Sequence, residues 1–253
     1  MKKTKVLLLG ESYSATHTFV RGRNYVTLPQ YGHFGTEIVE MLEKEGMEVT
    51  LVLTHDIPEQ CPVMSREFAA YDVVVLSDVG SDTMLSQPRT PDGKRNPNRL
   101  AELSEYVKTG GGVLMIGGYF GFSGIGNQAR YGMTPLAEAL PVRILNYDDR
   151  IECPEGVTPA VNRETATALF DGIRMEDCPA FSGYNKTSLK EDAVLFASFY
   201  KDPFLAGRKY GAGRTFAFTS DCAPDWAPLE VLHWEGYPRL LSNILRWTAG
   251  EIN

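Results

Sequence analysis

The chain of 253 residues is poor in cysteine and histidine, and neither follows a metal-binding pattern. Cys61, Cys153, Cys178 and Cys222 are widely separated, without a C-x-x-C pair or the spacing of a disulfide framework. The four histidines form neither an H-x-x-x-H nor an HExxH pattern, so no dedicated zinc site is predicted. These absences predict a protein without a metal or other cofactor, and they fit a reducing cytoplasm.

Long basic clusters and long apolar runs are also missing. The formal net charge is −7, which argues against general binding to nucleic acid or to an anionic membrane. The basic N-terminus is followed by only a short apolar run, Val6–Leu9, before the sequence becomes polar. Such a run is too short for a signal-peptide core or a membrane span. We therefore expect a cytoplasmic protein that binds neither nucleic acid nor membrane.

Short apolar segments alternate with amphipathic ones over the first half of the chain. Four of them have the composition of strands, at 5–9, 48–54, 72–77 and 113–116. Two segments with helical periodicity end at a glycine, at 36–46 and 100–110. This alternation predicts an α/β fold with a mostly parallel sheet and ligand chemistry at the carboxyl ends of the strands. The length and the 43% content of hydrophobic residues predict one domain over residues 1–253.

The second half of the chain is irregular at first and then becomes clear again. Three strands are predicted at 193–199, 204–210 and 214–219, followed by a terminal amphipathic helix. Two connections are unusually long. Residues 10–35 show little periodicity and follow the first strand, and residues 80–98 are rich in proline and follow the third. We expect the first to cover part of a site at the sheet edge and the second to be a surface flap.

The most informative motif is a glycine-rich turn after the fourth predicted strand. Gly117–Gly121 has the form G-x-nucleophile-x-G, in which the glycines permit a tight turn that presents the central side chain at the sheet edge. Enzymes with this elbow carry serine or cysteine at its centre, whereas this chain carries Tyr119. A phenol, with a pKa of about 10, is a poor acyl nucleophile at neutral pH. The scaffold is catalytic in form, but its usual nucleophile is absent.

The order of these elements and several motifs resemble the class I glutamine amidotransferase-like superfamily, and more narrowly its GATase1-like family of bacterial cytoplasmic proteins. The matching segments are Tyr71–Gly80, the elbow, Phe218–Trp226 and Trp234–Tyr237. The resemblance implies a three-layer, flavodoxin-like α/β fold with a mostly parallel central sheet and helices on both faces. Glutaminases of this class use a cysteine at the elbow, with histidine and glutamate after a late strand.

Those positions here hold Tyr119 and the sequence Ser220-Asp221-Cys222, so the triad is absent and we expect no glutaminase activity. Candidate catalytic residues that remain are Tyr119, Ser123, Asp221 and Cys222. Each has a simpler interpretation: a tyrosine filling an obsolete pocket, a serine capping a turn, an aspartate capping a turn, and a small buried cysteine. A hydrolase that uses Cys222 or Ser123 is left as an alternative.

Carboxylates follow several of the predicted strands and supply the candidate ligand-binding residues. Asp78, Asp221 and Asp225 could hold a cation or the hydroxyl groups of a sugar-like ligand. Because parallel strands end at one edge, we expect Tyr119, Ser123, Asp78 and Asp221 to line one cleft. The complete set of candidate ligand-binding residues is Asp78, Tyr119, Phe120, Asp221, Asp225, His17 and His233.

The sequence thus favours a degenerate amidotransferase-like protein that binds a small polar metabolite. A carbohydrate-related ligand is suggested only by analogy with trehalose-utilisation proteins. An assembly or regulatory subunit with a vestigial pocket is the alternative from another functional class. Association with further copies of the chain into a homo-oligomer stays open.

Overall fold

An eight-stranded sheet forms the centre of the molecule. The computed structural model describes residues 3–165 and 168–253. In chain order the strands of these residues are β1 (Lys5–Gly10), β2 (Ser12–Arg21), β3 (Asn24–His33), β4 (Glu48–Leu53), β5 (Val73–Ser77), β6 (Gly112–Ile116), β7 (Val142–Ile144), β8 (Arg150–Val157), β9 (Ala160–Val161), β10 (Phe181–Asn185), β11 (Thr187–Leu189), β12 (Val194–Phe199), β13 (Asp202–Tyr210) and β14 (Gly213–Phe218).

Helices connect the parallel strands and close the chain. They are α1 (Gly35–Lys44), α2 (Ile57–Gln60), α3 (Ser65–Phe68), α4 (Ser81–Leu85), α5 (Arg99–Lys108), α6 (Leu136–Ala139), α7 (Leu229–Leu232) and α8 (Gly236–Thr248). The predicted strands and helices of the first half, the three late strands and the terminal helix are all present, with ends shifted by a few residues at most. Within the described residues, no helix is long and apolar enough to cross a membrane.

The sheet has the order β4-β1-β5-β6-β14-β13-β12-β9. Its first five strands are parallel, and β13, β12 and β9 extend it in antiparallel fashion. The predicted α/β fold with a mostly parallel central sheet is therefore confirmed. If the five parallel strands β1, β4, β5, β6 and β14 are renumbered 1 to 5 along the chain, their order in the sheet is 2-1-3-4-5. The chain first adds β4 on one side of β1 and then adds β5 on the other side, so the direction of winding reverses between β1 and β5. Ligands of open α/β sheets bind at the carboxyl ends of the strands beside such a reversal.

Alternate side chains of the parallel strands enter two separate cores. On β1, Val6 and Leu8 pack into the core that contains α1 and α8, whereas Leu7 and Leu9 pack into the core that contains α5. Strands buried on both faces need apolar residues at every position, which explains the uninterrupted apolar runs of the sequence. Helices thus cover both faces of the sheet.

Residues 10–35, predicted as a connection with little periodicity, instead form the antiparallel hairpin β2–β3. Most of its residues are exposed. The alternation of a half-buried strand is missing because apolar side chains lie on both faces, as in the adjacent pair Phe19 and Val20. Residues 80–98 begin with α4 and continue as turns, in agreement with the predicted surface segment. The irregular middle region also contains a pairing that was not predicted, between β8 and β10.

Candidate functional site

Four carboxylates surround one small cavity at the carboxyl ends of the parallel strands. Glu11 follows β1, Asp78 follows β5, and Asp221 and Asp225 follow β14. The cavity has a volume of about 230 Å³ and lies beside the reversal between β1 and β5. The carboxylates share its lining with the base of the hairpin, through Ser12, Tyr13, Gly32, His33 and Phe34, and with Ala223 and Pro224. We call this space the acidic cavity.

A larger cavity of about 450 Å³ shares Ser12 and Tyr13 with the acidic cavity and extends to His55 and Asp82. Asp82 is its only acidic lining residue among those described. We assign the site to the acidic cavity because several ionisable side chains converge there at the end of the parallel strands, where α/β proteins place their ligands.

The backbone at two of the carboxylates adopts left-handed conformations that side-chain-bearing residues rarely take. Glu11 has φ of +58° and Asp78 has φ of +44°. Such conformations cost about 1 to 3 kcal/mol each and persist where the surrounding structure requires them. Gly10, with φ of +121°, makes the turn before Glu11 possible, since a Cβ there would collide with the carbonyl oxygen of Ser77. The strain aims both carboxyl groups at the same space.

Glu11 and Asp221 form a buried acidic pair. Possible ligand atoms of Glu11, Asp221 and Cys222 all lie within 4.8 Å of one another. Burial raises the pKa of Glu11 to about 7. Burial and the neighbouring charges of Glu11 and Asp78 raise the pKa of Asp221 well above its usual value. The pair therefore retains a proton near neutral pH and can both donate and accept hydrogen bonds.

The same cluster contains a tyrosine hydroxyl without a partner. Tyr237 is fully buried, and its hydroxyl makes no hydrogen bond within the described part of the chain. Burial, with the nearby charges of Cys222, Asp221 and Glu11, raises its pKa well above the usual value. An unsatisfied buried hydroxyl is uncommon, and this one lies among the ionisable groups of Glu11, Asp221 and Cys222.

Asp78 binds the backbone of the elbow. The N–H of Phe120 donates a hydrogen bond of 2.6 Å to Oδ1 of Asp78, and the N–H of Tyr119 also bonds to this carboxylate. Burial nevertheless raises the pKa of Asp78 to about 6. In elbow enzymes, the N–H of the residue after the nucleophile stabilises the negative oxygen of the reaction intermediate. Here the carboxylate of Asp78 occupies that donor.

Tyr119 lies at the predicted edge of the sheet but outside the lining of the acidic cavity. Its half-buried ring contacts Trp226 edge to face, with 5.7 Å between ring centroids, and the guanidinium of Arg150 lies 5.0 Å from its centroid. Burial and the charges of Glu152 and Asp225 raise the pKa of Tyr119. Its hydroxyl therefore stays protonated at neutral pH, where it can donate a hydrogen bond while it accepts one from Arg150.

The other two candidate nucleophiles are buried. The Ser123 hydroxyl donates to the carbonyl of Tyr147 at 2.6 Å, away from the acidic cavity that was expected to include it. Cys222 Sγ lies 3.2 Å from Ser77 Oγ, and burial raises the pKa of this thiol well above its usual value. Because thiolate attack requires ionisation, a cysteine in this environment is a weak nucleophile.

The remaining candidates contribute unequally. Phe120 supplies its backbone N–H, while His17 bonds to Gln30 along the hairpin and exposed His233 follows α7. Neither histidine lines the acidic cavity. The sequence-based residue list missed Glu11, whose position directly after the first strand and a glycine was the available signal.

Comparison with solved structures supports the fold assignment. Cytoplasmic Protein STM3548 from Salmonella typhimurium is 37% identical, with a TM-score of 0.92, and the match covers 96% of this chain and 98% of that one. Cytoplasmic Protein STM1381 from Salmonella typhimurium LT2 is 33% identical, with a TM-score of 0.92 and coverage of 97% and 99%. A thuA-like protein from Parabacteroides merdae shares the fold alone, at 14% identity, a TM-score of 0.56 and coverage of 99% and 91%.

No curated protein matches the chain. A family model described as "Putative glutamine amidotransferase" matches residues 5–250, nearly the full length. This match agrees with the order of the parallel strands and with the glycine elbow after β6. The chain belongs to the GATase1-like family.

Proposed function

We propose that this chain binds a small polar metabolite in the acidic cavity and does not hydrolyse glutamine. The observation that carries the proposal is the convergence of Glu11, Asp78 and Asp221 on one cavity, two of them held in left-handed backbone conformations. Strained backbone conformations cluster at binding and active sites, so the strain at Glu11 and Asp78 favours a working site over a purely structural role.

Two features support the absence of glutaminase activity. The elbow carries Tyr119, and the only cysteine near the cavity, Cys222, has a raised pKa and is buried. The elbow N–H of Phe120 is already bonded to Asp78. A tetrahedral intermediate formed at this turn would have to compete with a carboxylate for its stabilising donor.

The composition of the cavity favours a ligand rich in hydrogen-bond donors, namely hydroxyl or ammonium groups. Carboxylates accept such bonds, and the proton retained by Glu11 and Asp221 can be donated in return. The volume of about 230 Å³ is below the range of roughly 300 to 1,000 Å³ that is usual for drug-sized ligands. Tyr13 and Phe34 add aromatic surface. A carbohydrate-related compound, neutral or amino-substituted, satisfies these requirements.

The proposal is tested by a thermal-shift screen of neutral sugars, amino sugars, polyamines and divalent ions, followed by calorimetry. We expect one of these donor-rich classes to stabilise the wild type and to lose its effect in Asp221→Asn, with Glu59→Gln, an exposed carboxylate outside the cavity, as control. A ligand that binds wild type and Asp221→Asn equally would contradict the assignment of the site. In parallel, ammonia release from glutamine should stay at background.

Calorimetry in two buffers of different ionisation enthalpy distinguishes the charge of the ligand. A cationic ligand favours the ionised carboxylates and should release protons near pH 7, because the pKa of Glu11 is about 7. A neutral sugar should release few or none. Glutamine turnover that disappears in Cys222→Ala would show that this thiol is the nucleophile and would refute the proposal.

The same reasoning extends to the architecture and the location. A three-layer, flavodoxin-like arrangement is supported by the 2-1-3-4-5 order of the parallel strands and by cores on both sheet faces. A cytoplasmic location is supported by the two Salmonella proteins, both described as cytoplasmic.

A further inference from the structure

The hairpin β2–β3 is attached to the rest of the molecule at its base. The N–H of Phe34 donates to the carbonyl of Glu11 at 3.0 Å and closes the hairpin. Ser12 exchanges hydrogen bonds with Thr54, and the Tyr31 ring contacts His55 edge to face. From Ser12–His33 at this base, the hairpin contains ten residue pairs in all and ends in a tight turn at Gly22. At about 3.4 Å per residue the arm is roughly 30 Å long.

Large apolar side chains cover both faces of this arm. Seven of them are between 49% and 77% exposed, namely Tyr13, Phe19, Val20, Tyr25, Val26, Leu28 and Tyr31. At roughly 200 Å² for each large side chain, their exposed surface amounts to about 800 Å². The largest apolar patch on a typical monomer measures about 300 to 600 Å². This surface is divided about equally between the two faces, roughly 400 Å² on each, so both faces together supply the area of about 800 Å² that one partner contributes to a standard protein interface.

The strands of the arm also require a partner. Within the described residues, neither outer edge of the hairpin pairs with another strand. A two-stranded hairpin is only marginally stable alone in water, and exposed edges with apolar side chains invite pairing with another chain. The regular register over ten pairs is therefore best maintained when a second molecule covers the arm.

The charge distribution identifies the partner. Residues 12–33 contain no acidic residue and carry Arg21 and Arg23 at the tip, a formal charge of +2. Because the whole chain carries −7, the remainder carries −9. That remainder would repel nucleic acid or an anionic membrane, but it attracts the tip of another arm. A second copy of the chain supplies both the apolar strands and the acidic surface.

We propose that the hairpin Ser12–His33 is the arm through which two copies of this chain associate, arm against arm and antiparallel. A two-fold axis between the arms makes the interface self-complementary, with the face that carries Phe19 and Val26 meeting its equivalent on the other copy. The antiparallel arrangement places each basic tip next to the acidic remainder of the other copy. The inference goes beyond the proposed metabolite binding and does not depend on it.

The arrangement has a consequence for the acidic cavity. Tyr13 and His33, at the base of the arm, form part of its lining. Association of two arms would fix the position of this base and thereby the shape of the cavity. Ligand affinity should then increase with protein concentration over the range in which the copies associate.

Sedimentation velocity and light scattering over a concentration series test the proposal. We expect wild type to form dimers, and Phe19→Asp combined with Val26→Asp to weaken the association by about tenfold or more. Met133→Asp and Leu229→Asp, at exposed apolar residues outside the arm, are matched controls that should associate as wild type does. Circular dichroism establishes that each variant folds, which is expected since all four side chains are exposed.

Charge reversal separates the role of the tip from that of the apolar strands. Arg21→Glu combined with Arg23→Glu should weaken association, and the difference from wild type should diminish at high salt. A wild type that is monomeric throughout the series would overturn the proposal. So would an oligomer that persists unchanged in the folded Phe19→Asp, Val26→Asp variant, because its interface would then lie elsewhere.

Discussion

Replacing Glu11 by glutamine should stabilise the protein at alkaline pH, although Glu11 lies in the proposed site. Glu11 is 6% exposed, and burial raises the pKa of its carboxyl group from an ordinary value of 4.5 to about 7. Between these two pH values the native protein binds more protons than the unfolded chain. The free energy of unfolding must therefore fall as pH rises through this window, and the loss is complete above pH 7.

The raised pKa corresponds to a loss of about 3 kcal/mol at pH 8, at 1.36 kcal/mol for each pKa unit. Glutamine has nearly the same shape but cannot ionise, so the free energy of unfolding of Glu11→Gln does not decrease in this way as pH rises. Removal of the Glu11 charge also lowers the pKa of Asp221, which adds to the stabilisation. The advantage of the variant over wild type should grow by between about 2 and 3 kcal/mol from pH 5 to pH 8.

Urea unfolding at a series of pH values measures this difference, provided that the dependence on urea concentration has the same slope in both proteins. Glu37→Gln, a change at an exposed carboxylate of α1, is the control and should follow wild type. If Glu11→Gln follows wild type at every pH, the carboxyl group is ionised in the folded protein and the inferred proton-retaining pair does not exist.

Three further predictions concern the elbow and its surroundings. Gly118→Ala should destabilise the protein by about 1 to 3 kcal/mol, measured by urea unfolding, and abolish ligand binding, because φ is +127° and the new Cβ would lie 2.8 Å from Asp78 Oδ1 and 3.3 Å from Asp221 Oδ2. Native Cys222 should react with thiol reagents far more slowly than in urea, since it is fully buried with a raised pKa; fast native labelling would contradict this. Because Tyr119 lies outside the lining of the acidic cavity, Tyr119→Phe should reduce affinity by about 0.5 to 1.5 kcal/mol in calorimetry for a ligand that extends to its hydroxyl, and unchanged affinity would leave this tyrosine without a binding role.

The parts of the fold that were predictable are those in which each segment is buried in a regular way. The strand Val73–Ser77 is buried at every position and apolar up to its last residue, because both faces of the parallel sheet are covered. The glycine elbow was equally visible, since Gly118 has a backbone conformation that other residues rarely adopt. Asp78 and Asp221 followed from the rule that parallel strands end at one edge.

The hairpin was not predictable from periodicity, and Glu11 was missed with it. Phe19 and Val20 are neighbours on one strand and lie on opposite faces, as Tyr25 and Val26 do on the other. A strand that is apolar on both faces and surrounded by polar residues shows neither alternation nor an uninterrupted run. Glu11 was assigned to the same featureless connection, although it directly follows a strand.

The missing triad and the acidic cavity are two aspects of one change in electrostatics. At an elbow that catalyses acyl transfer, the backbone N–H groups point at the position where a negative charge develops on the substrate. Here the side chain of Asp78 is already bonded to those donors, and Glu11, Asp221 and Asp225 surround the adjacent space. A site built in this way repels the anionic intermediate and attracts donors of hydrogen bonds or positive charge. Under the proposed function, the same scaffold in this chain selects ligands of the opposite electrostatic character.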